Sequence, residues 1–188
     1  PRGSRAARAD PVTDAAFRPR LVALDIDGTL VDGAGVMPEE VRSAVRRIVD
    51  AGVPVVLSTG RSWLGTQPVF DQLDLPPGWA VASNGAMVLT YPPFVVHDET
   101  RFDPAEVIRR VAELAPEARI AVQDGLDWRV SREFPEGELQ GEVSIESLEE
   151  LASREVTRVI VRDPDSSEEK FNGMVAQLGV HEVSYFVG

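Results

Sequence analysis

Residues Leu21–Leu30 read LVALDIDGTL, an apolar run that stops at two acids, Asp25 and Asp27, separated by one residue. The apolar part predicts a buried strand, and the acids follow at its carboxyl end. In open α/β sheets this end of a strand is where ligands bind. Because positions i and i+2 of a strand point the same way, both carboxylates reach one small volume. Gly28 then allows a sharp turn. The stretch therefore predicts a functional site at the end of the first strand.

Two neighbouring carboxylates repel each other unless a cation lies between them or one of them is protonated. The first arrangement binds a hard cation such as Mg²⁺, and the second provides an acid that can donate a proton. An alternative interpretation is a turn in which the Asp25 and Asp27 side chains only accept backbone N–H groups.

The next residues repeat the pattern of a strand followed by a helix. Apolar residues at spacings of three and four predict a helix from Pro38 to Ala51, and Val53–Leu57 predicts a second strand that ends in Ser58-Thr59-Gly60-Arg61. A weaker helix pattern, interrupted by Gly65 and Pro68, leads to a third strand at Trp79–Ser83, which ends in Asn84-Gly85. Strands joined through helices run parallel, so the pattern predicts an α/β fold with half of a doubly wound sheet.

The remaining residues predict a second α/β domain of short strands and helices, which ends in a strand at His181–Val187. Its apolar and polar residues alternate more regularly, as in a sheet with one face in solvent. We therefore expect a first domain at residues 18–89 and a second domain at residues 90–188. Residues 1–17 begin with PRGS, which is typical of a cleaved expression tag, and are predicted to lie outside the fold.

Composition excludes several classes of site and partner. The 188 residues contain no cysteine and two isolated histidines, His97 and His181, so disulfides, thiolate catalysis and cysteine-based zinc sites are excluded. A net charge of −12 argues against a nucleic-acid partner. The sequence contains neither an apolar run long enough to span a membrane nor a secretory signal, so the expected location is the cytoplasm.

The segment Asp25–Leu30 (DIDGTL) resembles the first motif of the haloacid dehalogenase superfamily of phosphotransfer enzymes, and Ser58–Arg61 (STGR) resembles the second. Asn84-Gly85-Ala86 is similar to the turn after the third strand in the Cof-type sugar-phosphate phosphatases of that superfamily. The resemblance implies a Rossmann-like core followed by an α/β cap domain. It also implies a Mg²⁺-dependent phosphatase that acts on a small phosphorylated metabolite.

The resemblance assigns roles to the two acids. Asp25 is the nucleophile that forms an aspartyl-phosphate, and Asp27 is the general acid and base. The Asp25 carboxylate and the backbone carbonyl of Asp27 bind Mg²⁺.

Residues after the second and third strands are candidates for phosphate or substrate binding. We expect the Thr59 hydroxyl to bind a phosphoryl oxygen, while Gly60 lets the backbone come close and the following helix directs its N–H groups at the anion. Arg61 either binds phosphate or substrate, or pairs with an acid. Asn84 either shapes the substrate pocket or forms an ordinary turn, and Trp128 of the cap is a core aromatic residue or faces the substrate.

Two residues that the family uses have no match here: a lysine that steadies the nucleophile, and a later acid that completes the Mg²⁺ site. The only lysine is Lys170, on a predicted cap helix. We therefore expect an incomplete and poorly active form of a longer protein, with the Asp25 strand as a bare sheet edge. The alternatives are a phosphomannomutase-like phosphomutase and a natural pseudoenzyme that binds phosphate without turnover. Oligomeric state is not indicated.

Overall fold

A computed structural model of the protein describes residues 19–178, so the predicted tag remnant and the predicted strand at His181–Val187 lie outside the described residues. The first half forms a five-stranded sheet in the order β1-β2-β3-β4-β5. Strands β1 to β3 are parallel, and β4 and β5 add an antiparallel hairpin to β3. The strands are β1 (Val22–Leu24), β2 (Val55–Ser58), β3 (Gly78–Ala82), β4 (Met87–Tyr91) and β5 (Val95–Glu99).

The prediction of a buried first strand was wrong. β1 covers only Val22–Leu24, and its side chains are half-buried or exposed. The reason is its position at one end of the sheet, where β2 is its only strand partner among residues 19–178. The predicted bare edge is therefore present in the described part of the chain.

Two helices connect the parallel strands. Helix α1 (Glu39–Asp50) buries Val45 and packs its apolar side on the first hydrophobic core, which is centred on Leu57 and Ala80. Helix α2 (Trp63–Gln72) is continuous through Pro68, and the Ser62 side chain caps its start by accepting the Gly65 N–H. The predicted β-α-β-α-β order is confirmed.

The second half forms a four-stranded sheet in the order β8-β7-β6-β9. Its strands are β6 (Arg119–Asp124), β7 (Asp127–Val130), β8 (Val143–Ile145) and β9 (Arg158–Arg162), and its helices are α3 (Ala105–Leu114), α4 (Leu148–Leu151) and α5 (Glu168–Leu178). Strand β8, a three-residue edge strand with exposed side chains, was not predicted from the sequence.

The central part of this second sheet is covered on both faces, contrary to the alternation predicted for it. Ile120 and Val122 of β6 pack with residues of the three helices, whereas Ala121 packs with Trp128 and Val130 on the opposite face. All four middle residues of β6 are buried. The α/β fold class is confirmed, but a wet face across the whole second sheet is not present.

The two sheets suggest a boundary later than residue 89. That position lies within β4, and both β4 and β5 belong to the first sheet. We propose that the division falls near Thr100, after β5. A hydrogen bond from Thr157 Oγ1 to Glu99 Oε1 (3.0 Å) connects the halves, while a bridge between Phe102 and Val156 lies within the second half.

Trp63 is the largest aromatic residue of the first core, and we expect Trp63→Ala to lower the free energy of unfolding by about 3–5 kcal/mol. Its side chain is 2% exposed and contacts the rings of Phe70, Tyr91 and Phe94. Trp79, which is 48% exposed and packs on the His97 ring, provides the control, and Trp79→Ala should cost less, about 1–2 kcal/mol. Urea unfolding measures both, and equal losses would contradict this description of the core.

Candidate active site

The two acids of the first motif lie in the turn directly after β1. Ile26, between them, is completely buried, while Asp25 and Asp27 are both exposed. The Ile26 carbonyl accepts the N–H groups of three following residues at 2.9–3.3 Å, and this closes the turn. Gly28 has a φ of 73°, which favours glycine. The acids thus lie on the side of the turn opposite Ile26, although they are not part of the strand.

Asp27 forms a two-pronged ion pair with Arg61. Arg61 Nε donates to Asp27 Oδ2 at 2.9 Å, and Nη2 donates to Oδ1 at 2.6 Å. Of the two roles predicted for Arg61, the structure therefore contains the pairing with an acid. The hydrogen bonds from Arg61 hold the pKa of Asp27 below its ordinary value, and burial only partly opposes them. Asp27 is consequently ionised at neutral pH when it contacts Arg61.

Asp25 keeps more of its carboxylate available. Its Oδ1 accepts the N–H of Ile26 at 2.7 Å, and within residues 19–178 its Oδ2 has no hydrogen-bond partner. The Asp25 charge contributes to raising the pKa of Arg61, after the larger contributions of Asp27. Asp25 therefore has an exposed carboxylate with one free oxygen, and the Arg61 guanidinium lies nearby.

The second motif follows β2 and forms a compact turn. Thr59 is 5% exposed, and its hydroxyl oxygen accepts the Arg61 N–H at 3.2 Å, so its own proton can still be donated. Ser62, which caps α2, is also buried. The turn thus presents a hydroxyl and the start of a helix next to the Arg61–Asp27 pair.

The third motif contacts the second through its backbone. Asn84 N–H donates to the Thr59 carbonyl at 3.1 Å, and Ser83 N–H donates to the Arg61 carbonyl at 2.8 Å. A Cβ on Gly60 would lie 2.8 Å from Asn84 Oδ1, so a side chain at this position would displace the Asn84 amide. Asn84 and Ser83 both have positive φ. The structure thus brings the predicted residues Thr59, Gly60, Arg61 and Asn84 together beside Asp27.

The oxygen atoms of Asp25 and Asp27 fit a hard cation only in part. Both Asp27 carboxylate oxygens contact Arg61, so this carboxylate is unsuited to bind a metal while the pair persists. The bridge between Asp27 and Val31 uses the Ile26 carbonyl and the Gly28 N–H, so the bridge leaves the Asp27 carbonyl free. Within residues 19–178, no group of three or more acids or histidines is arranged to hold a metal ion. The Asp25 carboxylate and the Asp27 carbonyl are therefore the oxygen atoms of this turn that remain available to a hard cation such as Mg²⁺.

Three residues near this site were not predicted: Ser83, Gln123 and Arg158. Ser83 Oγ donates to Gln123 Oε1 at 2.9 Å, and Arg158 Nη1 donates to the Gly60 carbonyl. The two partners lie on β6 and β9 of the second sheet. The sequence carries no distinct signal for either residue, because β6 also contains Arg119 and Asp124 and β9 also contains Arg162.

A scan against protein families matches residues 22–176 to the haloacid dehalogenase-like hydrolases. The match covers most of the chain. This protein belongs to the haloacid dehalogenase-like hydrolases. The resemblance noted in DIDGTL and STGR is therefore confirmed over residues 22–176.

Relatives of this hydrolase include several phosphatases. The 5-amino-6-(5-phospho-D-ribitylamino)uracil phosphatase YwtE of Bacillus subtilis is 38% identical over 69 residues, which are 37% of this chain and 23% of that protein. A haloacid dehalogenase-like hydrolase from Bacteroides thetaiotaomicron has the same fold, with a TM-score of 0.67 and 20% identity over 86% of this chain and 63% of that one.

A subclass IIB sugar phosphatase is similar in fold as well, with a TM-score of 0.64 and 17% identity over 85% of this chain and 63% of that one. The alignment thus covers about a quarter of the length of the curated relative and less than two thirds of each solved structure. Among residues 19–178 of this hydrolase, no helix is long and apolar enough to cross a membrane.

Proposed function

We propose that the protein is a Mg²⁺-dependent phosphatase that acts on a small phosphorylated metabolite, such as a sugar phosphate, through an aspartyl-phosphate. One observation carries the proposal: the turns after β1, β2 and β3 meet at the Asp27–Arg61 ion pair. Membership of the hydrolase family and the names of its relatives also support it, since one relative is named as a phosphatase of a phosphorylated ribitylamino compound.

In this proposal Asp25 attacks the phosphorus, because its carboxylate is exposed and only one oxygen is engaged in the turn. The Thr59 hydroxyl and the N–H groups at the start of α2 hold the phosphoryl oxygens. Gly60 has no side chain, so the backbone of the turn can come close to the phosphoryl group. Mg²⁺, bound by Asp25 and the Asp27 carbonyl, would offset the negative charges of nucleophile and phosphate.

Asp27 donates a proton to the leaving oxygen and then activates water. Its ion pair with Arg61 favours the ionised form, so the pair must loosen before Asp27 can donate. The incoming phosphate loosens the Asp27–Arg61 pair, because it competes with Asp27 for the Arg61 guanidinium. Arg61 then pairs with Asp27 before the substrate binds and with the phosphate afterwards, so both roles predicted for Arg61 apply. Asn84, next to Gly60, borders the substrate.

The product of the complete gene that encodes this sequence is expected to hydrolyse p-nitrophenyl phosphate with Mg²⁺, and to lose that activity when EDTA removes the metal. Adding Mg²⁺ back should restore it. Phosphate binding without turnover would favour a pseudoenzyme, and activity that needs a bisphosphorylated sugar would favour a phosphomutase.

We expect the 188-residue chain alone to turn over slowly. The family uses a lysine beside the nucleophile, but Lys170, the only lysine, is exposed on α5 of the second half. Assaying this chain beside the complete gene product tests that expectation. Equal rates would contradict it.

A further inference from the structure

Three residues form a row across the second sheet. Gln123 on β6 lies opposite Trp128 on β7 and opposite Arg158 on β9. Residues paired in this way on neighbouring strands point to the same face of a sheet. Through Gln123 and Arg158 the row contacts two turns of the candidate active site, at Ser83 and Gly60.

Within this row Arg158 is held firmly. Its guanidinium lies over the Trp128 ring, with the Cζ atom 5.1 Å from the ring centroid. Trp128 is itself fixed, because it is 2% exposed and its Nε1 donates to the Gln140 carbonyl at 3.0 Å. Gln123 is fully buried and both ends of its amide are bonded, to Ser83 and to the Gly125 carbonyl.

Arg158 differs from two other arginines of the same sheet in having no acid beside it. Arg129 pairs with Asp124 and Glu146, and Arg162 pairs with Glu138. Within residues 19–178, no carboxylate forms an ion pair with Arg158. Its Nε is buried without a hydrogen-bond partner, as are the Nε atoms of Arg129 and Arg162, so the missing acid is what distinguishes Arg158. The Arg158 side chain is half-buried, and a cation partly removed from water without a counter-ion destabilises the fold, which marks it as a candidate for function.

Burial lowers the pKa of Arg158 to about 10, so the side chain remains positively charged at neutral pH. The location of Arg158 places that charge beside the candidate active site, at the Gly60 carbonyl. Gly60 lies between Thr59, which is proposed to hold the phosphoryl group, and Arg61, whose charge Asp27 balances. Arg158 therefore adds, at the edge of the site, a positive charge that forms no ion pair within residues 19–178.

We infer that Arg158 is a specificity-determining residue that binds an anionic group, a carboxylate or a second phosphate, on the part of the substrate that leaves. The inference rests on the proposed function. Residues proposed for the transferred phosphoryl group all belong to turns of the first sheet, whereas Arg158 approaches from the second sheet. A residue in that position meets the part of the substrate that those turns do not hold.

The test compares two ligands that differ in one group. Phosphoglycerate carries a carboxylate where glycerol phosphate carries a hydroxymethyl group. Dissociation constants are measured by calorimetry with Mg²⁺ in the Asp25→Asn variant of the complete gene product, so that neither ligand is consumed.

With Arg158 present, phosphoglycerate is expected to bind about tenfold more tightly or better, because a charge-assisted hydrogen bond is added. Arg158→Gln should remove that preference and change glycerol phosphate binding by less than about twofold. Arg162→Gln, four residues along the same strand, should leave the preference intact. Arg158→Lys, which keeps the charge if the glutamine variant fails to fold, should retain part of it.

The inference is overturned if phosphoglycerate is not preferred with Arg158 present, if the preference survives in Arg158→Gln, or if that variant weakens both ligands equally. Equal weakening would assign Arg158 to the phosphoryl group or to structure alone. The proposed function is judged separately, by turnover with Asp25 intact, and that result does not depend on Arg158.

Discussion

Asp25→Asn is expected to abolish phosphatase activity in the complete gene product, with a loss of about 10³-fold or more in kcat. An amide cannot form the aspartyl-phosphate, and it also weakens the proposed Mg²⁺ site. The measurement is steady-state hydrolysis of p-nitrophenyl phosphate at saturating Mg²⁺. Because Asp25 is exposed in the turn after β1, the variant should fold normally.

Asp71→Asn provides the matched control for this substitution. Asp71 is an exposed acid on α2, and within residues 19–178 its side chain forms no ion pair. Its replacement should leave kcat within about twofold of the unsubstituted protein, in line with a surface change. A rate in Asp25→Asn close to that of the control would remove Asp25 from the mechanism.

Asp27→Asn is expected to lower kcat/KM by about 10²- to 10⁴-fold for an alkyl phosphate. The loss should be much smaller for p-nitrophenyl phosphate, because nitrophenolate departs without a proton whereas an alkoxide does not. The quantity kcat/KM reports the steps up to formation of the phosphoenzyme, so it isolates the proton donation. Equal losses for the two substrates would contradict the role of Asp27 as general acid.

The pH profile tests the ion pair itself. Hydrogen bonds from Arg61 lower the pKa of Asp27, so Arg61→Gln should raise that pKa towards its ordinary value. A general acid must be protonated, and its activity falls as pH rises through its pKa. The fall in kcat/KM for an alkyl phosphate is therefore expected to move to higher pH in Arg61→Gln.

Arg46→Gln is the control for that profile, because Arg46 pairs with Asp74 at 2.9 Å on the surface. Its profile should match that of the unsubstituted protein. The quantity compared is the pH at which kcat/KM falls, rather than the absolute rate, because Arg61 also has a proposed role in phosphate binding. An unshifted profile in Arg61→Gln would show that the pair does not control Asp27.

Local sequence patterns were sufficient to predict the order of the first strands and helices. Spacing of apolar residues identified α1, and the polar turns after β1 and β2 indicated where the candidate site would form. The exposure of β1 was harder to predict, because Val22–Leu24 has the composition of a central strand but has only one strand partner in the described region. Strand β8 has three exposed residues and gives too short a pattern to recognise.

The contacts that define the site depend on residues far apart in the sequence. Arg61 reaches Asp27 across 34 positions, and Arg158 reaches Gly60 across 98. The sequence offered two roles for Arg61, and only the register of β1 and β2 brings it against the acid. Arg158 appears as one of two arginines at the ends of β9 until the pairing of β6 with β9 aligns it with Gln123.

Acid quenching during turnover, followed by mass spectrometry of the peptides, would detect the proposed aspartyl-phosphate itself. The peptide containing Asp25 is expected to gain the mass of one phosphoryl group. Hydroxylamine, which cleaves acyl phosphates, should remove that group. Turnover without a phosphorylated peptide at Asp25, or with the phosphoryl group on another residue, would rule out Asp25 as the nucleophile.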